Sequence, residues 1–174
     1  MKKKILILVN NLGYLISHRL HVIKAAKAEG FEVIVVYGQL GNGSIKTISN
    51  IGITCIQTYL ISSSTNPFME LISIYSIFRI FKKIKPDIVH LITIKAYLYG
   101  GIAARLAKVP GVISAIAGLG IFFNKKKLWN FLFQKILYLF FSFAFKHPNQ
   151  KIIVQNTNDM KTLIKFIGLN KKKF

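Results

Sequence analysis

"KILILVNNLGYLISHRLHVIKAAKAEGFEVIVVYG", residues 4–38, decides the fold. From Ile5 to Val9 the run is continuously apolar, preceded by lysines and followed by two asparagines, as in a parallel strand covered on both faces. A helix follows, with Ser17 as its expected cap and Gly30 as its end. "FEVIVVYG", residues 31–38, is a second buried strand. The junction itself raises a question. A strand that ends in Asn10-Asn11 and meets Gly13 at once before a helix suits a polar ligand seated on free helix-start amides, or simply a tight turn.

The same alternation continues outward. Residues 39–52 hold a glycine-rich loop and a short helix near 44–50, and "ITCIQTYL" (53–60) is a third strand. Asn66 caps and Pro67 opens a helix that stops before Pro86. "DIVHLIT" (87–93) is the fourth strand, and Pro110 ends the helix "KAYLYGGIAARLAKV" (95–109). "GVISAIAG" (111–118) is the fifth strand, an aromatic helix spans about 127–146, "KIIVQN" (151–156) is the sixth strand, and "TNDMKTLIKFIG" (157–168) is the last helix. Six short strands separated by helices predict a Rossmann-like α/β domain over residues 1–174, a doubly wound parallel sheet with helices on both faces. Right-handed crossovers make 3-2-1-4-5-6 the expected strand order. Gly100-Gly101, inside a helix, is expected to pack closely on the sheet.

Composition narrows the partners. Hydrophobic residues are 52% of the 174, enough for a large core. The charges are lopsided, 25 Lys+Arg against 5 Asp+Glu for a net +20, and only Arg19, Arg79 and Arg105 are arginines. Such a surface attracts polyanions, an anionic membrane or nucleic acid. The lysines are scattered, no nucleic-acid motif is present, and nucleic acid is excluded on that ground. Cys55 is the lone cysteine, so no internal disulfide forms. The start "MKKKILILVNN" mimics a signal peptide but has no small-residue cleavage site. "LWNFLFQKILYLFFSFAF" (128–145) is short for a membrane span and carries Asn130, Gln134 and Lys135. A helix buried on one side, or lying in a membrane interface, fits it better.

In such sheets ligands bind beyond the carboxyl ends of the strands, near the reversal between strands one and four. "NNLGYLISHR", "YGQLGNGS", "HLITIK" and "AGLGIFFNKKK" land on that rim. The first is no dinucleotide fingerprint: G-x-G-x-x-G is absent, and Tyr37-Gly38 stands where an acid should end strand two. No cofactor is therefore expected. His18 and His21 are three apart on one helix, but no third ligand supports a metal. His90, within strand four, reads as a satisfied core histidine. Lys95, just past that strand, is the better anion contact. Gly118 and Gly120 give two flexible rim positions, which suit a close ligand or a turn. Five scattered acids assemble no paired carboxylates and no Ser-His-Asp set, so no catalytic side chain is assigned.

"ILILVNNLGYLISHRLHVIKAAKAEGFEVIVV", "PDIVHLITIKAYLYGGIAARLAKVPGVISAIAGLG" and "KIIVQNTNDMKTLIKFIGLNKKKF" together resemble the N-terminal domain of bacterial family 4 glycosyltransferases of GT-B architecture, those that build cell-surface polysaccharide such as O-antigen. The resemblance implies a sugar transferase whose N-terminal half shapes the acceptor site and whose C-terminal half holds the nucleotide-sugar. The sequence stops at Phe174, where the family would cross into that second half. The expectation is thus an acceptor-side half, inactive alone, with the donor half on a separate chain or lost. Many family members carry a sugar-contacting histidine after strand five; Ala117-Gly118-Leu119-Gly120 stands there instead.

The resemblance also sets the first loop against the interdomain cleft. Asn11, Gly13 and Tyr14, with His18 and Arg19 steadying the helix, Lys95, Gly118 and Gly120 are the expected substrate-binding rim. The expected partners are a nucleotide-sugar donor, a polyprenyl-diphosphate-linked sugar acceptor and an anionic membrane surface. The expected place is the inner face of the bacterial cytoplasmic membrane, peripherally bound. The alternative is a non-catalytic membrane- or polyanion-binding module.

Overall fold

The computed structural model describes residues 2–61, 66–116 and 131–174. The elements are β1 (Lys4–Asn11), α1 (Leu12–Ala28), β2 (Glu32–Gln39), α2 (Ile45–Ser49), β3 (Thr54–Gln57), α3 (Pro67–Ile84) and β4 (Ile88–Ile92). They continue with α4 (Ile94–Ala107), β5 (Gly111–Ile116), α5 (Phe131–Phe145), β6 (Gln150–Val154), α6 (Thr157–Ile167) and a closing 3₁₀ turn (Lys171–Lys173). All six strands are parallel, in the order β3-β2-β1-β4-β5-β6. That is the doubly wound sheet expected from the alternation of strand and helix.

The sheet is covered on both faces, which explains its uninterrupted apolar strands. Ile5, Ile7, Val9, Val33 and Val35 pack with Leu15 and Ile23 of α1 and Ile48 of α2. Leu6, Leu8, Ile34, Val36, Val89 and Leu91 face the other way, onto Ile77 and Phe81 of α3, Phe141 and Phe145 of α5, and Leu163 of α6. The order reverses between β1 and β4, where Ile5 pairs Ile88 and Val9 pairs Ile92. The Asp87 carboxylate accepts a bond of 2.7 Å from the Lys4 amide and fastens the far end of that seam.

Local signals set most helix ends. Asn66 caps α3 by accepting from the Phe68 amide, with Pro67 in its first turn, and Gly168 closes α6 in the left-handed region at φ 63°. The cap of α1 differs from expectation. Asn11, not Ser17, caps it, and Ser17 lies in the second turn with its hydroxyl donating 2.8 Å back to the Gly13 carbonyl. Asn11 has the extended backbone a cap needs, so the helix starts five residues before Ser17.

The paired glycines of α4 behave as close-packing residues on two fronts. A Cβ at Gly100 would sit 2.7 Å from Leu8 and Leu91 side chains on the sheet, and one at Gly101 would sit 2.9 Å from the Ala144 carbonyl of α5. Helix α4 is therefore wedged between the sheet and its neighbours, buried from Ala96 to Ala104. Among the described residues, no helix is long and apolar enough to cross a membrane.

Candidate functional site: the crevice between β1 and β4

β1 runs into α1 without a loop, so the start of α1 stands at the carboxyl edge of the sheet. Two of its backbone donors are already engaged. The Asn11 side chain accepts from the Tyr14 amide at 3.0 Å, and the Gly13 amide donates to the Leu40 carbonyl at 3.1 Å. The Gly43 amide meets the same carbonyl at 3.0 Å. A Cβ on Gly13 would come within 2.9 Å of the Gly43 nitrogen. Gly13 thus makes room for the β2–α2 loop. The expectation of a free amide offered to a ligand there is corrected: the loop from Leu40 to Gly43 occupies it.

The following turn forms a second group. The Tyr14 and His18 rings stack at 4.6 Å, and Ser17 Oγ lies 2.6 Å from His18 Nδ1. Among the described residues no cluster of histidine, cysteine and carboxylate has the makings of a metal site. Arg19 is half-buried and its charge reaches His90 on β4. Burial, and then that charge, push the His90 imidazole down to about 4. The histidine is in the core, as expected, but it is not satisfied: Nε2 is buried with no hydrogen-bond partner among the described residues. Burial and the neighbouring cation together explain why the imidazole stays neutral.

Across the crevice stands Thr93, between β4 and α4. Its φ of 84° and ψ of 155° lie where glycine alone is comfortable. Its hydroxyl accepts from the Asn10 amide at 3.3 Å, which ties the two central strands together. Asn10 is 92% buried on the α4 side of β1, and its Oδ1 has no partner among the described residues. Helix α4 begins at Ile94 with no side-chain cap, so its first amides are unsatisfied by side chains. An acceptor oxygen and a row of donors therefore stand at the reversal point of the sheet, where doubly wound domains bind ligands.

Lys95 departs from its expected role. Rather than a free anion contact, it is half-buried, with Nζ 2.6 Å from Glu70 of α3 and 2.8 Å from the Ile61 carbonyl. The two side chains are 16% and 17% exposed. Tyr99 stands beside them, its phenol pushed well up by burial and then by the Glu70 carboxylate. The structure thus gathers Asn11, Gly13, Tyr14, His18 and Arg19 on the α1 side, and Lys95 on the α4 side with Asn10 and Thr93. Gly118 and Gly120 lie outside the described residues. Glu70 and Thr93 escape sequence reasoning: one is 25 residues from its partner, and the other has an unremarkable side chain on an unusual backbone. The asparagine doublet is the one signal that could have drawn attention to Asn10.

At this edge Lys95 is paired with Glu70 and His90 is buried uncharged, while Arg19 brings a positive charge on the α1 side. The unsatisfied groups are a buried amide oxygen and backbone donors. A polyhydroxyl group, which gives and accepts at each oxygen, satisfies both.

The comparisons agree with the fold and extend it. Residues 4–156 match the family described as "Glycosyl transferase 4-like". A relative from Campylobacter jejuni, N,N'-diacetylbacillosaminyl-diphospho-undecaprenol alpha-1,3-N-acetylgalactosaminyltransferase, is 27% identical over 95% of this chain and 47% of its own length. The chain thus spans about half the length of that relative. Among solved structures, a glycosyltransferase from Rickettsia africae superposes with a TM-score of 0.65 at 21% identity, over 99% of this chain and 41% of that one. A UDP-GlcNAc 2-epimerase from Methanocaldococcus jannaschii gives 0.62 at 17%, over 99% and 44%. These two likenesses show the fold alone, and the second shows that the fold does not choose between transferase and epimerase. Running from the start of β1 to just beyond β6, the family match shows that this chain belongs to the glycosyl transferase 4-like family.

Proposed function

We propose that this domain is the acceptor side of a glycosyltransferase that moves a sugar from a nucleotide-sugar to a lipid-linked saccharide in cell-surface polysaccharide synthesis. The observation that carries the proposal is the pair of unmet groups at the β1–β4 reversal, where the buried Asn10 Oδ1 lacks a partner among the described residues and α4 lacks a side-chain cap. A sugar hydroxyl donating to Asn10 and accepting from the first turn of α4 completes both. Family membership, and a relative named for an undecaprenol-diphosphate-linked acceptor, support the substrate class. Asn11, Gly13, Tyr14, His18 and Arg19 hold one wall. The Lys95–Glu70 pair holds the other, so Lys95 acts as a positioning residue for the start of α4. The nucleotide-sugar belongs to a donor-binding half like the remainder of the longer relative, and the acceptor's lipid keeps the protein peripheral on the inner face of the cytoplasmic membrane.

The test supplies a donor-binding half by co-expression and measures transfer from a panel of nucleotide-sugars to a polyprenyl-diphosphate sugar. Turnover is expected from the pair and none from this chain alone. Losing one neutral hydrogen bond costs about 0.5 to 1.5 kcal/mol, so Asn10→Ala should weaken acceptor binding roughly two- to twelvefold. Turnover by the chain alone, or an unchanged acceptor affinity in a folded Asn10→Ala protein, refutes the corresponding part.

A further inference from the structure

Helix α3 turns an unusual face to solvent. Phe68 is 77% exposed, Leu71 60%, Tyr75 58% and Ile72 44%. These positions fall at i, i+3, i+4 and i+7, so they form one stripe. The buried stripe is elsewhere on the same helix, at Ser73, Ile77 and Phe81. One to two turns further along the outer stripe, the apolar residues give way to Arg79, Lys82 and Lys83, all exposed. The Arg79 guanidinium stands 6.0 Å from the Tyr75 ring.

Helix α5 repeats the pattern. Ile136, Leu139, Phe140 and Phe143 are each more than a third exposed, and exposed lysines, Lys135 and Lys146, bracket them. Helix α4 packs between α3 and α5 and is itself buried from Ala96 to Ala104. The two apolar stripes therefore flank it on the same side of the sheet. No unpaired carboxylate reaches this side. The five acids are Glu29 and Glu32 around the start of β2, Asp87 bonded to the Lys4 amide, Asp159 buried in α6, and Glu70 paired with Lys95.

Exposed apolar stripes rimmed only by cations fit one solvent better than any other, the surface of an anionic bilayer. The apolar residues enter the acyl boundary, and the basic ones meet headgroups. We infer that the outer face of α3 and α5 is the membrane-docking surface of this domain. The sequence suggested an interfacial helix only in the aromatic stretch that became α5; the structure adds α3 and gives it the more exposed stripe. Polarity of the chain adds a reason. Helix α3 returns from the carboxyl end of β3 to the amino end of β4, so its apolar first half stands at the same edge as the crevice. An acceptor whose lipid lies in the bilayer then has its sugar near Asn10 and Thr93. The inference rests on the acceptor reading for that purpose alone.

The experiment is sedimentation of the chain with phosphatidylcholine vesicles, with and without phosphatidylglycerol. Partitioning should require phosphatidylglycerol. Arg79→Gln/Lys82→Gln/Lys83→Gln should weaken it on the order of a hundredfold, from about fivefold per basic residue. Phe68→Ser/Leu71→Ser/Tyr75→Ser should weaken it at least about tenfold. All six side chains are exposed, so melting curves should barely change. Lys3→Gln/Lys24→Gln/Lys46→Gln removes the same three charges elsewhere and should have a far smaller effect. Equal losses from the two lysine-based sets would overturn the inference in favour of net charge alone. Undiminished binding of the serine variant would overturn it as well. A dimer in solution that the serine variant dissolves, without vesicle binding, would assign the face to a second copy instead. Vesicle binding involves no sugar, and transfer to a short-chain acceptor in free solution involves no vesicle, so either reading can fail without the other.

Discussion

Replacing Lys95 with methionine tests whether the α4 wall is held by charge. The change keeps the aliphatic stem and deletes the ammonium, leaving Glu70 and the Ile61 carbonyl without their shared donor. A buried acceptor deprived of its partner costs about 1 to 3 kcal/mol, more when charged, and breaking a fully buried pair costs about 3 to 5. At 16% and 17% exposure, water relieves part of that penalty, which sets the expected loss near about 2 to 3 kcal/mol. In a domain of this size, melting should fall by about 4 to 12 °C. Urea denaturation of the single variants and of Lys95→Met/Glu70→Met completes a double-mutant cycle. The double variant should recover at least about 1 kcal/mol of the summed losses, because two apolar side chains no longer strand a carboxylate. A Lys95→Met protein that melts within about 1 °C of the parent would refute the reasoning, since a lysine that matters so little is the solvated one first expected from the sequence.

Two other outcomes follow from the packing. Gly101→Ala gains about 1 kcal/mol of helix propensity but sets a Cβ 2.9 Å from the Ala144 carbonyl, and overpacking of that kind costs about 1 to 3 kcal/mol. A net loss near about 1 kcal/mol is expected by chemical denaturation, and a stabilised variant would show that α4 and α5 separate freely. The folded His90 pKa of about 4 lies below its ordinary 6.5, so the unfolded chain binds more protons between those values and stability is lost as pH falls from 6.5 toward 4. That loss should total about 3 kcal/mol and be missing from His90→Leu; parallel stability curves for the two proteins between those pH values would disprove it.

What the sequence made legible is what depends on neighbours along the chain. The doubly buried strands announce themselves as apolar runs, Asn66-Pro67 marks a helix start within two residues, and the strand order follows from handedness. The rim was harder. Gly13 stands out in the sequence by its flexibility, yet its place in the structure depends on a contact with Gly43, thirty positions on in the folded loop. Lys95 looks like an exposed cation in the sequence because Glu70 lies on another helix, and only the packing of α3 on α4 unites them. The exposed stripe of α3 is as apolar as its buried one, so hydrophobic patterning alone does not tell which faces water.

The central place of β1 has a consequence for how the chain is made. β1 leaves the ribosome before the other five strands of its sheet, and one of its two edges is filled soon afterwards by β2. The other edge waits for β4, about fifty residues later, and the Lys4–Asp87 bond that fastens this seam spans 83 positions. At about 5 to 20 residues per second, the nascent chain carries a bare apolar strand edge for about 3 to 10 s. Such an edge templates pairing with any other extended chain. Late closure of long-range pairs also slows folding. During those seconds the emerging domain is most in need of a holding chaperone, and a stalled ribosome anywhere between β2 and β4 would leave a sticky half-sheet rather than a harmless coil.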